Sequence, residues 1–155
     1  STGHDLAPDV PLTILFGTES GNAELVSEEL GAFIGERDDL VIADLATLSP
    51  ADLDPNRFHL VVCSTYGEGE LPTGAEPFAD ELESVNPDLT GLRFAVFGLG
   101  DSIYDTFNRG GEIVAEMLTK RGAVQVGEHA RHDNSSPIKP AKQAAEWAEG
   151  ISQEI

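Results

Sequence analysis

The chain alternates short apolar runs with segments of mixed polarity. Five runs of apolar and β-branched residues stand out, at residues 12–16, 40–45, 58–63, 93–97 and 123–126. Stretches such as LVVC and FAVF show no alternation of apolar and polar positions, which is typical of strands buried on both faces of a parallel sheet. The pattern therefore predicts five strands.

Three segments between or after these runs carry apolar residues at the three- and four-residue spacing of a helix face. They are residues 22–36, 111–121 and 144–151, and a shorter helix is predicted at residues 76–82. We expect Trp147, in the last helix, to be a core residue. The stretch ATLSPADLDP between the second and third strands is predicted to be a loop or at most a short turn of helix.

Strands that alternate with helices predict right-handed βαβ crossovers, and hence a single three-layer α/β domain with helices on both faces of the sheet. A chain of 155 residues has the size of one domain. We assign the domain to residues 11–153, after a polar tail at residues 1–10 that is expected to be disordered. Glycines cluster after the first, third and fourth strands. Because such sheets bind ligands at the carboxyl ends of their strands, these three loops are expected to converge on one site.

The acidic composition limits the classes of macromolecule that the protein can bind. Asp and Glu number 28 against 9 Lys and Arg, which gives a formal charge of −19. Such a surface repels nucleic acids and anionic membranes, and it attracts a basic protein. The same charge also serves solubility in a salty cytoplasm, and both uses remain open.

Cysteine usage favours a reducing compartment. Cys63 is the one cysteine, so the chain has no internal disulfide, and it lies inside an apolar run that predicts a buried thiol. The four histidines show no zinc-binding spacing, and no apolar stretch is long enough to span a membrane. We expect a cytoplasmic protein without a bound metal and without membrane association.

The loop after the first strand combines hydroxyl groups with the start of a helix. The first N–H groups of a helix lack partners and carry a partial positive charge, so this loop can bind an anion without Lys or Arg. The lysine of a P-loop is absent, which favours a monophosphate over a triphosphate. The alternative is a helix that is simply capped by a hydroxyl group of the loop. The loop reads TESGNA and comprises Thr18, Glu19, Ser20, Gly21, Asn22 and Ala23.

Two further loops each place a tyrosine at the exit of a strand. STYGEG follows the third strand at residues 64–69, and GLGDSIYDTFN follows the fourth at residues 98–108. Tyr66 and Tyr104 are the only tyrosines of the chain, and two aromatic rings on neighbouring loops can sandwich a planar ligand. Glycines in the second loop permit a peptide to rearrange. The alternative for each loop is an ordinary turn with a packing or surface aromatic residue.

The motifs TESGNA, STYGEG and GLGDS-x-YDTFN resemble the three FMN-binding loops of the flavodoxin-like superfamily. The likeness is to short, free-standing MioC-type flavodoxins and to the FMN domains of diflavin reductases, namely cytochrome P450 reductase and the sulfite reductase flavoprotein. It extends from about residue 12 to about residue 151. The resemblance implies a five-stranded parallel sheet of order 2-1-3-4-5. It also implies a short-chain type, because only about a dozen residues separate the fifth strand from the last helix.

The resemblance further implies which residues hold FMN. The first loop would wrap the phosphate, and Tyr66 and Tyr104 would stack on opposite faces of the isoalloxazine ring. Asp133, in RHDNS after the fifth strand, would lie near the ring. The full set implied for the cofactor is Thr18, Glu19, Ser20, Gly21, Asn22, Ala23, Ser64, Thr65, Tyr66, Gly67, Leu99, Gly100, Asp101, Tyr104, Phe107, Asn108 and Asp133.

The implied function is that of an electron carrier without catalytic residues of its own. The chain would shuttle single electrons from a flavin reductase to a haem, iron–sulfur or other redox enzyme, through the semiquinone/hydroquinone couple of FMN. Acidic side chains around the ring would make that couple strongly reducing. Gly67 would turn its carbonyl to accept a hydrogen bond from the protonated N5 of the semiquinone. The partners are expected to be basic proteins, and the carrier itself a monomer.

Three other interpretations are compatible with parts of this pattern. A flavodoxin-like quinone or azo reductase would take hydride from NAD(P)H, although the loops offer no nicotinamide site. A signalling receiver domain needs an Asp at the end of the third strand and a Lys at the end of the fifth, where this chain has Ser64-Thr65 and Gly127-Glu128. An FMN module of a larger diflavin reductase would carry the same motifs and would still transfer electrons.

Overall fold

Strands and helices alternate along the chain and build one parallel sheet with helices on both faces. The computed structural model describes residues 6–155. All four predicted helices and five predicted strands are present, and one further strand follows the fifth. In chain order the elements are β1 (Leu12–Gly17), α1 (Asn22–Ile34), β2 (Val41–Asp44), β3 (Phe58–Cys63), α2 (Glu76–Val85), β4 (Arg93–Gly100), α3 (Arg109–Thr119), β5 (Val124–Gln125), β6 (Ala130–Asp133) and α4 (Pro140–Ser152).

The sheet has the predicted strand order. The strands run β2-β1-β3-β4-β5, and every pair is parallel. The prediction of five strands was incomplete, because β6 also pairs with β4, beside Phe97 to Gly100, where β5 no longer reaches. The two-residue β5 ends before Gly127, which has φ +69°, and the chain then rejoins the edge of β4 as β6. The polar sequence ARHD of β6 gave no apolar run by which it could be recognised.

Two apolar clusters cover the two faces of the sheet. On one face α1 and α4 pack against alternate side chains of β1, β3 and β4, and on the other face α2 and α3 pack against the remaining ones. Trp147 of α4 is partly buried against the first cluster, with its ring centroid 5.4 Å from that of Phe97. Cys63 is fully buried, as predicted, and burial raises the pKa of its thiol to about 12.

The segment between β2 and β3 contains no full helix. It forms two 3₁₀ turns, Leu45–Thr47 and Pro50–Asp52, in agreement with the predicted loop. Among residues 6–155, no helix has both the length and the apolar character needed to cross a membrane.

The N-terminal segment from Leu6 onwards packs against the domain. Residues 1–5 of the predicted tail lie outside the described residues, but Leu6 and Ala7 are buried against the first cluster. The guanidinium of Arg37, which follows α1, donates hydrogen bonds to the carbonyls of Leu6, Ala7 and Val10. Leu6, Ala7 and Val10 pack against the first cluster and Arg37 bonds to their carbonyls, so these contacts attach residues 6–10 to the domain.

Candidate functional site

The three glycine-containing loops converge at the carboxyl ends of β1, β3 and β4, as predicted. They surround a cavity of about 470 Å³. Thirteen of the seventeen residues named from the sequence line this cavity: Glu19, Ser20, Asn22, Ser64, Thr65, Tyr66, Gly67, Leu99, Gly100, Asp101, Tyr104, Phe107 and Asn108. Thr18, Gly21, Ala23 and Asp133 are not among its lining residues.

Thr18, Gly21 and Ala23 of the first loop have structural roles instead: the first two shape the turn and the third packs in the core. Gly21 precedes α1 with φ +96°, and its N–H donates to the hydroxyl of Thr18 at 2.8 Å. Ala23 is fully buried in the core. The Thr18 hydroxyl thus caps the N–H of Gly21 just before α1, in part as the simple-capping alternative expects, while no side chain bonds to the N–H groups of the first turn of α1 itself. The N–H groups of the first helical turn are consequently available to an anion at this end of the cavity.

The carboxylate of Glu19 is engaged by the segment that follows the second loop. It accepts hydrogen bonds from the N–H and from the hydroxyl of Thr73, both at 2.7 Å. Beside it, the N–H of Gly74 donates to the carbonyl of Thr18 at 3.0 Å. A Cβ at position 74 would lie only 2.6 Å from that carbonyl oxygen, so the close approach requires glycine. The carboxylate of Glu19 is thus held by donors from outside the first loop.

The second loop is a tight turn closed by two backbone hydrogen bonds. The N–H of Tyr66 donates to the carbonyl of Glu70 at 2.9 Å, and the N–H of Glu70 donates back at 2.8 Å. Tyr66 is 48% exposed at the rim of the cavity. Gly67 has φ +54°, and a Cβ placed there would meet nothing closer than 3.7 Å. The turn is therefore constrained by backbone conformation at Gly67 and not by crowding.

The third loop places a second aromatic ring and a buried amide at the cavity. Tyr104 is 52% exposed at the rim. Asp101 accepts a hydrogen bond from the N–H of Ile103 at 3.1 Å, which shapes the turn. Asn108, at the start of α3, is completely buried with φ +61°, and its side-chain N–H donates to the carbonyl of His132 at 3.3 Å. The loop is thus fastened to β6 beneath the cavity.

The carboxylate of Asp133 is bonded by two serines. Its carboxylate accepts hydrogen bonds from the N–H of Ser102 and from both the N–H and the hydroxyl of Ser135. These hydrogen bonds hold the pKa of Asp133 well below its ordinary value. In the structure the carboxylate joins the third loop to the turn after β6, and Asp133 does not line the cavity.

Seven further lining residues were not among those named from the sequence. Leu25, Val26 and Glu29 extend the cavity along α1, and with Asn22 they show the i, i+3, i+4, i+7 spacing of one helix stripe, which is a signal present in the sequence. Thr106 lies inside the third motif, although it was not named singly. Recognition of the others required the strand β6 and the segment after it, and they are His132, Asn134 and Pro140.

Comparison with known proteins agrees with this geometry. Residues 14–147 match the flavodoxin family model. The chain is 35% identical to the protein MioC homolog of Haemophilus influenzae, over 88% of this chain and 92% of that one. It is 30% identical to the NADPH–cytochrome P450 reductase of Rattus norvegicus over 83% of its own length, which spans 20% of the reductase.

The fold is shared with solved structures as well. A single-substitution variant of the flavodoxin from Pseudomonas aeruginosa superposes with a TM-score of 0.78 at 32% identity, and the match covers 92% of this chain and 96% of that one. The family match over most of the domain and the common strand order lead to one conclusion. The chain belongs to the flavodoxin family, whose members are FMN-binding electron carriers.

Proposed function

We propose that this chain binds FMN among its three loops and carries single electrons between redox proteins. The observation that carries the proposal is that one cavity joins an uncapped helix N-terminus to two half-exposed tyrosines on neighbouring loops. An anion site and a pair of aromatic faces are what a phosphate linked to a planar ring requires.

The phosphate would bind at the start of α1. Ser20 and Asn22 line the cavity there, and they add side-chain donors to the N–H groups of the first helical turn. Thr18 and Gly21 would contribute to the phosphate site indirectly, because the hydrogen bond between them fixes the turn. Because Glu19 is hydrogen-bonded to Thr73, its negative charge is partly compensated beside the phosphate.

The ring would lie between the second and third loops. Tyr66 and Tyr104 would cover its two faces, while Leu99 and Phe107 form the apolar floor that keeps water from it. Bound FMN supplies one-electron oxidation and reduction through its isoalloxazine ring. The chain's own contribution includes the peptide of Gly67, which can turn its carbonyl towards a proton on N5 because no side chain opposes the change.

The acidic surface would set both the reducing power and the choice of partner. Glu68, Glu70 and Asp105 are exposed on the two loops that carry the tyrosines, and Asp101 lines the cavity beside them. Their charges disfavour the addition of an electron in a partly dry site. They would also steer a basic flavin reductase as donor, and a basic haem or iron–sulfur enzyme as acceptor, towards the exposed edge of the ring. The carrier would act as a monomer in the cytoplasm.

An FMN module of a larger reductase is the second candidate, since the chain aligns with one fifth of the P450 reductase. In that case the same site would pass electrons within one polypeptide. A hydride-accepting quinone reductase would differ from both carriers, because it would oxidise NADPH directly.

The test is reconstitution of the flavin-free protein, with free ligands as matched controls. We expect FMN to bind with quenching of its fluorescence, and riboflavin, which lacks the phosphate, to bind much more weakly. Stepwise photoreduction should then pass through a one-electron-reduced form, and the isolated chain should not turn over NADPH. Equal affinity for FMN and riboflavin would refute the phosphate site, and NADPH turnover with a quinone would establish the enzyme.

A further inference from the structure

Two buried polar atoms lie next to each other beneath the cavity, each without a hydrogen-bond partner among the described residues. They are Oδ1 of Asn108 and Nε2 of His129. Both lie against the same glycine of β4: a Cβ built on Gly98 would overlap Asn108 Oδ1 and would be 2.6 Å from His129 Nε2. Buried polar atoms are rarely left unpaired, so two neighbouring ones suggest a pair.

The imidazole of His129 occupies a slot made by two glycines on different elements. Gly98 belongs to β4, and Gly111 belongs to α3, where a Cβ would lie 2.7 Å from the same Nε2. A side chain at either position would therefore displace the ring. The absence of both Cβ atoms leaves room for the ring beside Gly98, which the side chain of Asn108 also faces.

The orientation of the Asn108 amide is fixed by its other contact. Its Nδ2 donates to the carbonyl of His132 at 3.3 Å. Rotating the amide would bring Oδ1 against that carbonyl oxygen, so Oδ1 must face Gly98 and His129, where it requires a donor. The structure leaves both atoms without a partner, and we infer that a small rotation of the side chains pairs them: His129 carries its proton on Nε2 and donates it to Asn108 Oδ1, which makes His129 a positioning residue for the third loop.

The electrostatic surroundings keep this imidazole neutral. Burial, together with the charge of Arg131, lowers the pKa of His129 to about 4, and Glu112 opposes the shift. Arg131 is itself paired with Glu112 at 2.8 Å. A neutral imidazole has one N–H, and its place on Nε2 leaves Nδ1 as an acceptor.

The pair bears on the proposed FMN site because Asn108 begins α3 and lines the cavity. A Cβ at Gly100 would lie 2.9 Å from the backbone N atom of Asn108, so the backbone of Asn108 lies close against the end of β4. Without the His129 donor, Asn108 Oδ1 would stay buried and unpaired, and the third loop would have to shift to reach water. This inference rests on the proposed function for its effect on FMN, but not for the hydrogen bond itself.

The hydrogen bond can be tested in the flavin-free protein. Long-range ¹H–¹⁵N spectra of uniformly labelled protein distinguish protonated from unprotonated ring nitrogens, and His129 is assigned by the signals that are lost in His129→Gln. We expect a neutral ring protonated at Nε2 at pH 7. A proton on Nδ1, or a ring that exchanges between tautomers, would overturn the inference whether or not FMN binds.

The positioning role is tested with three substitutions of the same residue. The amide of His129→Gln can place an N–H near the position of Nε2, whereas His129→Asn is too short and His129→Leu has no donor. We expect FMN affinity to fall about tenfold in the Leu and Asn variants and to stay within about twofold in the Gln variant. Equal losses in all three would show that only volume matters and would overturn the role.

A double-mutant cycle then separates this inference from the proposed function. In an Asn108→Ala background, His129→Leu should have little further effect on FMN affinity, whereas additive losses would mean that His129 does not act through Asn108. His59→Gln serves as the matched control, since His59 is buried at the opposite end of the sheet and bonds to the carbonyl of Arg93. If the parent protein does not bind FMN, the proposed function fails while the spectra still decide the hydrogen bond.

Discussion

The carboxylate of Glu19 accepts two hydrogen bonds from Thr73, one from its N–H and one from its hydroxyl, each 2.7 Å long. This contact joins the first loop to the segment after the second loop. It explains how an acidic residue can belong to the loop for which we propose phosphate binding. The charge has donors of its own, so the helix N-terminus remains available.

The first prediction follows from this contact. Glu19→Ala should remove the acceptor from the N–H of Thr73, and amide hydrogen exchange at Thr73 should become faster because that N–H then faces solvent. Glu19→Gln retains an acceptor oxygen and should preserve most of the protection. Native-state exchange of the flavin-free protein measures both. Unchanged exchange at Thr73 in the alanine variant would mean that the contact does not persist in solution.

The second prediction concerns the conformation of the second loop. Gly67→Ala should fold, because its Cβ has space, but it should hinder the turning of the peptide. We expect the amount of one-electron-reduced flavin that accumulates during photoreduction to fall by about twofold or more. Gly91→Ala is the matched control, since Gly91 also has positive φ and open space but does not line the cavity. If Gly67→Ala and Gly91→Ala accumulate the same amount of one-electron-reduced flavin, the peptide of Gly67 does not have the proposed role.

The third prediction concerns the charge of −19. If that charge steers partners, the rate of electron transfer to a small basic haem protein should fall several-fold as ionic strength rises from about 0.02 M to about 0.5 M, because salt shortens the Debye length. An acidic haem protein of similar size and potential should show the opposite trend. Stopped-flow absorbance under excess acceptor measures both rates. If the rate with the basic acceptor does not depend on salt, the acidic surface does not steer partners, and solubility is the remaining explanation for it.

The fourth prediction is a pH dependence of stability. Burial lowers the pKa of His129 to about 4 in the folded state, and the unfolded value is near 6.5. Between these values the unfolded chain binds more protons, so the free energy of unfolding should decrease as the pH falls from about 6.5 to about 4. The contribution is complete above pH 6.5 and absent below pH 4. Burial also lowers the pKa of His59, which adds to the trend.

Urea unfolding of the parent and of His129→Gln as a function of pH isolates this contribution. The difference in unfolding free energy between the two proteins should shrink as the pH falls through the window. Curves that remain parallel from pH 7 to pH 4 would show that His129 titrates normally in the folded state.

The fifth prediction concerns the N-terminal segment. Arg37→Met keeps most of the aliphatic stem but removes the guanidinium that bonds to the carbonyls of Leu6, Ala7 and Val10 and to the carboxylate of Asp39. We expect the free energy of unfolding to fall by about 1–3 kcal/mol. Arg109→Met is the control, because Arg109 forms partly exposed ion pairs with Glu112 and Glu116, which should be worth less than about 1 kcal/mol. Equal effects in the two variants would contradict the role assigned to Arg37.

The sequence by itself determined the elements whose signal is local. The run FHLVVC predicted β3 to the residue, because a strand buried on both faces has to be apolar throughout. The three loop motifs predicted where the cavity lies, because parallel strands bring their carboxyl ends to one edge. Tyr66 and Tyr104 followed from the same reasoning, and both line the cavity.

Only the tertiary structure decided the features that depend on residues far apart in the chain. The polar strand β6 forms because the edge of β4 offers unpaired backbone groups, and nothing in the sequence ARHD announces it. Glu19 meets Thr73 across 54 positions, and Asp133 turns to Ser102 across 31, so their hydrogen bonds could not be derived from spacing. Local patterns report burial and turn chemistry, whereas the partner of a polar side chain depends on which loops the closed sheet brings together.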